Sequence, residues 1–271
     1  MSRLDQVDLV VEALTDVGLR RAVNEDSVLA RRPVFVVADG MGGYEAGDRA
    51  SAAVVGAFRD ELPEGVPAEL AGVRRALTRA EESVAAVAAD TRRGAGSTLT
   101  GVVLVEHEHE PHWLIVNVGD SRVYRLFGAE LEQLTVDHSL AQELVESGRL
   151  GRAERRDFAE RNVITRAIGA PDARADSWLM PVTTGERLLV CSDGLHSEIA
   201  DEEIRAILTM SGRPAAAAAA LVDAAKRSGG RDNITVLVLD VRAGGVVDAA
   251  HATDSVSAVL GVADDGDTVE V

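Results

Sequence analysis

Four aspartates stand beside apolar, β-branched segments, where a strand can hold a carboxylate rigidly. The segments read VFVVADGMGG, LIVNVGDSR, RLLVCSDG and GGRDNITVLV, and their aspartates are Asp39, Asp120, Asp193 and Asp232. Because one sheet can bring several strand ends to a common rim, these carboxylates can converge on a single site. Oxygen ligands of this kind suit Mg²⁺ or Mn²⁺ better than zinc. The pattern therefore indicates a divalent-cation site.

The segment around Asp39 is the most informative of the four. Its apolar run has the length and composition of a buried strand, and three of the four residues after Asp39 are glycine. Glycine lets the backbone turn sharply and approach a ligand closely. Taken alone, an aspartate–glycine pair after a strand is equally typical of a turn. A turn or a cap is likewise the simpler interpretation of Asp26, Asp120 or Asp232 considered singly.

Composition and charge restrict the class of protein. The chain has 271 residues, of which 46% are hydrophobic and 3% aromatic, so one domain with a core of Val, Leu, Ile and Ala is expected. The formal charge of −17 argues against nucleic acid or an anionic membrane surface as a partner. A phosphorylated substrate stays compatible with this charge, because bound divalent cations reverse the local field.

The cellular compartment is suggested by cysteine content and by the absence of apolar signals. One cysteine excludes an internal disulfide framework and fits a reducing cytosol. The opening residues MSRLDQVDLV do not form a signal peptide, and no uncharged apolar run approaches the length of a membrane span. We therefore expect a soluble, cytoplasmic protein, and we expect it to be a monomer.

The order of the predicted elements indicates the fold class. Strands are predicted at 8–14, 34–37, 97–105, 113–120, 122–127, 187–191 and 234–241, and helices follow residue 50 and cover 70–87, 201–210 and 214–227. A polar loop, residues 15–30, separates the first two strands. Strands follow one another in succession instead of alternating with helices. This order favours an α+β layered domain with a largely antiparallel sheet.

Three polar stretches complete the second half of the chain. Asp137 or Ser139 can cap a short helix, and residues 149–161 are rich in Arg and Glu, which predicts an exposed, mobile excursion. Another polar stretch begins at Pro171. Residues 1–243 form the predicted domain. The tail, 244–271, has six acidic residues and no Lys or Arg, and we expect it to be disordered.

Eight motifs in this order resemble the metal-dependent serine/threonine protein phosphatases of type 2C, in their compact bacterial form. The motifs are RAVNEDS, VFVVADGMGG, GSTLTGVVL, VNVGDSRVYRL, LTVDHSLAQELVESG, VITRAIG, LLVCSDGL and GGRDNITVLVLDV. The match runs from about residue 7 to residue 242 and leaves only the tail outside. The resemblance implies a four-layer αββα sandwich with two central, mainly antiparallel sheets. It also implies a metal cluster at one end of the sheets and a flap around residues 140–162.

The resemblance assigns metal-binding roles to matching positions. It implies that Asp39 bridges two Mn²⁺ or Mg²⁺ ions and that the Gly40 carbonyl binds one of them. It implies that Asp193 and Asp232 bind the second ion, and that Asp120 binds a third, more weakly held ion, shared with Asp193. On this basis the chain is expected to be a hydrolase in which a metal-activated water attacks phosphorus.

Three further residues are expected to act on the water or the phosphate. The resemblance implies that Glu25 and Asp26 orient metal-bound waters and that Arg21 binds the phosphate. A planar guanidinium can bind two phosphate oxygens at once. The neighbouring Arg20 is the alternative, but the spacing to Glu25 favours Arg21. An isolated surface arginine is the less favoured alternative for Arg21.

The general acid departs from part of the family. Some members carry a histidine two residues after the bridging aspartate, whereas this chain has Met41, as many bacterial members do. Methionine cannot donate a proton. Leaving-group protonation must then come from elsewhere, such as a water on a metal, with His138 and His196 as possible substitutes.

Two other chemistries are disfavoured by spacing. Cys191 suggests a thiol phosphatase, but that mechanism needs an arginine six residues later, where Ser197 stands, so a buried strand thiol is favoured. Three histidines, at 107, 109 and 112, suggest zinc, but they lack the His-Glu-x-x-His spacing and fall in a hairpin turn.

The expected function is hydrolysis of phosphoserine and phosphothreonine in proteins, opposing Ser/Thr kinases, with phosphoproteins as partners. Two alternatives stay open. One is a catalytically dead relative that binds a phosphoprotein or a kinase as a regulator. The other is an enzyme for a small phosphate ester.

Overall fold

The computed structural model describes residues 3–42, 46–92 and 94–246, without the side chains of Ala153 and Arg156. Gly43, the last glycine of the Asp39 segment, and residues 247–271 of the predicted tail lie outside the described residues. Gly245 and Val246, which belong to the predicted tail, hydrogen-bond to Val182 and Thr184. No helix within the described ranges is long and apolar enough to cross a membrane.

Eleven strands and six α-helices make up the described part of the chain. The strands are β1 (Asp8–Asp16), β2 (Asp26–Arg31), β3 (Val34–Met41), β4 (Gly96–Ser97), β5 (Leu99–His107), β6 (Glu110–Val118), β7 (Arg122–Phe127), β8 (Glu130–Gln133), β9 (Asp176–Pro181), β10 (Arg187–Cys191) and β11 (Ile234–Ala243). The helices are α1 (Gly47–Glu61), α2 (Leu70–Ala89), α3 (Leu140–Glu146), α4 (Asp193–His196), α5 (Asp201–Met210) and α6 (Pro214–Ser228).

The strands form two antiparallel sheets. One has the order β1-β11-β10-β7-β8, and the other has the order β2-β3-β5-β6-β9 with β4 paired to β3. Helices α1 and α2 pack on the second sheet through residues such as Val54, Phe58 and Val84. Helices α4, α5 and α6 pack on the first sheet, with Leu195, Ile204 and others buried there. The helices therefore cover the two outer faces.

The two sheets pack against each other through a third core. Phe35 and Trp113 from one sheet meet edge to face, with ring centroids 6.1 Å apart. Leu188 and Leu237 of the other sheet belong to the same buried cluster. Because aromatic residues are scarce, aliphatic side chains fill most of this layer. The α+β prediction and the four-layer αββα arrangement are confirmed.

Sequence patterning missed three strands. The predicted loop at 15–30 contains β2, and the polar stretch after Pro171 contains β9. β2 and β9 are the outermost strands of their sheet, where one side of the ladder is open and polar residues are tolerated. The short β8 also lies at an edge. Edge strands carry a weaker apolar signal than the buried strands beside them.

The stretch predicted as an exposed excursion, residues 149–161, belongs to a segment beside the sheets whose two ends meet. Ser139, not Asp137, caps α3, since its hydroxyl accepts a hydrogen bond from the Gln142 N–H. A 3₁₀-helix over Arg152–Asp157 follows. We call residues 140–162 the flap segment. Its mobility stays a prediction.

Candidate metal centre

Asp39 lies inside β3, because the strand continues to Met41 instead of ending at the aspartate. Across the ladder its Cα partner is Asp26 on β2. The Asp39 N–H donates to Thr98 Oγ1 at 2.9 Å, and the Thr98 N–H donates back to the Asp39 carbonyl at 2.8 Å. The strand therefore continues past Asp39, where it was predicted to end. Hydrogen bonds to Thr98 hold the Asp39 backbone on both sides.

The other three aspartates come from both sheets. Asp120 follows β6, Asp193 opens α4 just after β10, and Asp232 precedes β11. All three aspartates are close enough to act electrostatically on Asp39. The structure therefore brings all four predicted aspartates together. The site lies across the ends of the two sheets.

Asp26 joins the two sheets at the centre. Its Oδ2 accepts hydrogen bonds from Ser192 Oγ at 2.8 Å and Thr235 Oγ1 at 2.6 Å. The Thr235 N–H also donates to Ser192 Oγ at 3.0 Å. Asp26 belongs to one sheet, whereas Thr235 belongs to β11 of the other. Its Oδ1 stays free of protein partners.

Glu25 is held over the start of α1 by two glycines. An added Cβ at Gly47 would lie 2.4 Å from Glu25 Oε1, and one at Gly40 would lie 2.0 Å from the Gly47 carbonyl oxygen. The Glu25 N–H donates to Asn233 Oδ1 at 2.8 Å. Only glycine fits at both positions, since real Cβ atoms do not approach this closely. The Glu25 carboxylate and the Gly40 backbone therefore share one crowded corner of the site.

The carboxylates are held where their charges are costly. Burial, followed by repulsion from neighbouring aspartates, raises the pKa of Asp39 and Asp120 well above the ordinary value. Burial and the charge of Asp232 raise the pKa of Asp193 to about 7. Burial raises the pKa of Asp26 to about 6. A concentration of acidic groups of this kind is stabilised by cations.

The donor set fits divalent cations. Among the described residues, four buried side-chain polar atoms lack a hydrogen-bond partner, and three of them are oxygens of Glu25, Asp26 and Asp193. Buried oxygens without a partner are rare, and an ion satisfies them. As the described side chains stand, however, no three acidic, histidine or cysteine residues surround a common point closely enough to hold an ion. The residue types therefore suit a divalent cation, but their side chains must rearrange locally before they can bind one.

The positive charge of Arg21 offsets part of the negative charge of these carboxylates. Its Nη2 donates to Asp232 Oδ2 at 2.6 Å, and its Nη1 lies 3.9 Å from Glu25 Oε2. The side chain is about half exposed, at 48%. Arg21 is therefore at the centre, as predicted. A cation on Asp232 would displace the guanidinium from this carboxylate and leave its donors available to a phosphate.

Two histidines position the turn that carries Asp120. His138 Nδ1 accepts from the Gly119 N–H at 3.1 Å, and His138 Nε2 lies 3.0 Å from Asp176 Oδ2. His196 Nε2 donates to the Asp120 carbonyl at 3.0 Å. Burial lowers the pKa of His196 to about 3, so the ring is neutral. Both rings serve the backbone, which argues against either as a general acid.

Sequence reasoning missed the supporting role of these histidines and of Thr98. Thr98 Oγ1 also lies 2.9 Å from Ser121 Oγ, which connects the Asp39 strand to the Asp120 turn. The signal was present in the motifs GSTLTG and VDHSLA, where hydroxyl and imidazole groups interrupt apolar segments. The partners lie 23 and 19 residues away, and spacing alone does not identify them.

The two chemistries that spacing disfavours, a thiol nucleophile at Cys191 and a zinc site at the histidines, gain no support from the structure. Cys191 is fully buried, and burial raises the pKa of its thiol far above the ordinary value, so the thiolate needed for attack does not form. His107 and His109 are exposed near the β5–β6 turn.

Comparisons with known proteins identify similar chains. The family described as Protein phosphatase 2C matches residues 20–226. The chain is 37% identical over 235 residues to the serine/threonine protein phosphatase PstP of Mycobacterium tuberculosis, a match that covers 84% of this chain and 44% of that protein. It is 33% identical over 242 residues to the serine/threonine phosphatase stp of Listeria monocytogenes, covering 84% and 94%. The chain thus spans less than half of the mycobacterial relative.

Solved structures show the same similarity. The crystal structure of the M. tuberculosis phosphatase PstP superposes with a TM-score of 0.80 at 35% identity, covering 88% of this chain and 100% of that one. A PstP catalytic domain solved in complex with two manganese ions superposes with a TM-score of 0.76 at 35% identity, covering 88% and 99%.

Proposed function

This chain belongs to the protein phosphatase 2C family and carries a serine/threonine protein phosphatase domain, and we propose that it hydrolyses phosphoserine and phosphothreonine in proteins. The observation that supports this most is the convergence of Asp26, Asp39, Asp120, Asp193 and Asp232 at the ends of two sheets, with carboxylate oxygens left unpartnered. The related PstP domain holds two manganese ions. We infer that Mn²⁺ or Mg²⁺ serves here.

The proposed ligands follow from the match to the family's motifs. Asp39, the Gly40 carbonyl, Asp193 and Asp232 would hold two ions, and Asp120 would hold a third, weaker one. When bound, the ions would supply an activated water and offset charge on the phosphoryl oxygens. Hydrogen bonds at its N–H and its carbonyl fix the backbone of Asp39, which would help to hold the ions in place.

The remaining groups orient the reactants. The free oxygens of Glu25 and Asp26 would accept hydrogen bonds from water at the centre and so orient it. Arg21 binds phosphate oxygens through its planar guanidinium. His138 and His196 have their ring protons committed to Asp176 and to the Asp120 carbonyl. Water is therefore the proton source for the leaving oxygen.

Phosphorylated proteins, including Ser/Thr kinases and the proteins they phosphorylate, are the proposed partners, and the proposed active form is a monomer. The direct test is phosphate release from a phosphothreonine peptide with Mn²⁺ and with EDTA. We expect release with Mn²⁺ and none with EDTA. Small metabolite esters are assayed in parallel, and a preference for them would move the substrate class away from proteins. No release by folded, Mn²⁺-loaded protein would favour the regulatory alternative.

Arg21→Lys is expected to raise KM for the phosphopeptide about tenfold, because an ammonium cannot reproduce a bidentate contact. The matched control is Arg20→Lys, an exposed neighbour for which no ion pair is recorded among the described residues. We expect that variant to keep the wild-type KM. Steady-state kinetics on both variants decide the assignment, and equal effects of the two substitutions would contradict it.

A further inference from the structure

The flap segment is closed at its base and braced internally. The Leu140 N–H donates to the Val163 carbonyl at 2.8 Å, which holds the two ends of the segment together. Inside it, Arg155 Nη1 donates to Gln142 Oε1 at 2.8 Å, which connects the 3₁₀-helix to α3. The base of the segment is therefore closed, and its 3₁₀-helix is connected to α3.

A cavity of about 300 Å³ lies between the flap segment and helices α4 and α5. Asp120 and Asp193 line it, so it lies directly beside the metal centre. Ser197, Ala200 and Asp201 belong to the opposite wall. The volume is at the lower end of the range for small-ligand sites and is sufficient for an extended side chain.

The positively and negatively charged residues of the flap segment differ in whether they line the cavity. Its sequence has five arginines and five acidic residues, so its formal charge is zero. Three of the arginines, Arg152, Arg155 and Arg161, line the cavity. None of the five acidic residues is part of the lining, although all five side chains are described. A segment without net charge thus presents a positive face to the cavity.

Of the four aspartates that line the cavity, Asp137 and Asp201 already have side-chain partners. Asp137 accepts two hydrogen bonds from Arg122, at 2.8 and 2.6 Å, and both side chains are buried. Although burial alone would raise it, the Arg122 guanidinium holds the pKa of Asp137 below its ordinary value. Asp201 accepts a hydrogen bond from Tyr124 Oη.

The arginines of the wall differ in how far they are paired. Arg155 lies 3.7 Å from Asp137. Arg161 lies near enough to lower the pKa of Glu198, but that carboxylate is already held by Arg231 in a two-pronged contact. No ion pair or side-chain hydrogen bond of Arg152 or Arg161 with another residue is recorded in the described part of the chain. Two guanidinium groups are left to bind a ligand.

We propose that this cavity is a subsite for a second anionic group of the substrate, a carboxylate or a phosphate close to the phosphorylated residue, bound by Arg152 and Arg161. The inference rests on the proposed phosphatase function and specifies its substrates as acidic phosphopeptides. A chain with a formal charge of −17 repels such peptides unless positive charge is concentrated near the site. Guanidinium groups bind carboxylate and phosphate with two parallel hydrogen bonds, which gives the subsite its selectivity.

The test compares three phosphothreonine peptides that differ at one neighbouring position, which is glutamate, phosphoserine or alanine, with that position moved in turn to either side. For Arg152→Gln/Arg161→Gln we expect KM for the glutamate and phosphoserine peptides to rise about tenfold, and KM for the alanine peptide to change less than about twofold. We expect kcat to be unchanged for all three. Arg149→Gln, in the same segment but not in the cavity lining, is the control and should retain wild-type kinetics.

Each outcome decides the proposal. An equal KM for acidic and alanine peptides in the wild type, or an equal rise for all of them in the double variant, would overturn it. A rise confined to the phosphoserine peptide would identify phosphate as the ligand, and a rise confined to glutamate would identify carboxylate. Hydrolysis of p-nitrophenyl phosphate at the wild-type rate shows that the variant is folded and loaded with metal.

Failure of the phosphatase function itself is separable from failure of the subsite. If the wild type releases phosphate from no peptide, fluorescence anisotropy with the unphosphorylated glutamate peptide still measures the subsite. Binding that weakens in Arg152→Gln/Arg161→Gln but not in Arg149→Gln would support it. Equal binding by all three proteins would reject it.

Discussion

Replacing Asp39 by asparagine is expected to lower kcat/KM for a phosphothreonine peptide at least about a hundredfold, which is about 2.7 kcal/mol of transition-state stabilisation. The amide keeps the shape of the side chain but loses the charge that would hold two cations together. Asp39 is also the most constrained of the four aspartates, with hydrogen bonds to Thr98 on both sides of its backbone. Phosphate release in saturating Mn²⁺ is the measurement.

The matched control for this substitution is Asp223→Asn on the exposed face of α6. It removes the same charge far from the centre and should leave kcat/KM within about twofold of wild type. Isothermal titration with Mn²⁺ separates loss of the ions from loss of fold. Wild-type activity in Asp39→Asn, with the fold intact, would contradict the proposed metal centre.

Without divalent cations, the free energy of unfolding is expected to fall as pH rises from about 4 to about 7. An unfolded aspartate loses its proton near pH 3.8, whereas Asp193 in the folded protein keeps its proton up to about pH 7 and Asp26 up to about pH 6. The folded state therefore binds more protons in this window, and stability decreases with rising pH. For Asp193 alone the loss is on the order of 4 kcal/mol at neutral pH, at 1.36 kcal/mol per pH unit.

Urea unfolding in EDTA at about pH 5 and about pH 8, repeated with Mn²⁺, measures this effect. We expect a lower midpoint at the higher pH in EDTA, and Mn²⁺ should remove or reverse the decrease because it binds the ionised carboxylates. Asp193→Asn should flatten the EDTA profile, whereas Asp223→Asn should preserve it. Paired carboxylates such as Asp137 have a lowered pKa and act only at more acidic pH. A midpoint in EDTA that rises with pH would contradict the prediction.

The four aspartates were predictable because each stands next to an apolar run typical of a strand, and that signal is local. The sandwich itself followed from the resemblance, while composition and element order indicated only an antiparallel α+β domain. β2 and β9 escaped because an edge strand buries less and tolerates polar residues, so its alternation is weak. Spacing along the chain does not show which sheet a strand joins, so the strand pattern alone did not place the site across two sheets.

The supporting contacts of the site were beyond sequence patterning. Gly47 looks like an ordinary helix residue in the sequence, yet its missing side chain makes room for the Glu25 carboxylate. The pairing of Arg21 with Asp232 joins residues 211 positions apart. The sorting of arginines to one side of the flap segment depends on the turns at its base, which composition does not reveal. These features arise from tertiary contacts, and only coordinates display them.

The hydrogen bonds that Asp26 accepts from Ser192 and Thr235 also determine when the centre can form during synthesis. These contacts span 166 and 209 residues, so they are among the last that a growing chain can make. A nascent polypeptide that has not yet emerged beyond Thr235 lacks the hydrogen bond from Thr235 to Asp26 that joins its two sheets. Asp232, just before β11, is then not yet held in place. It cannot assemble the whole centre. The centre can therefore form only after residue 235 has been synthesised and both sheets have met.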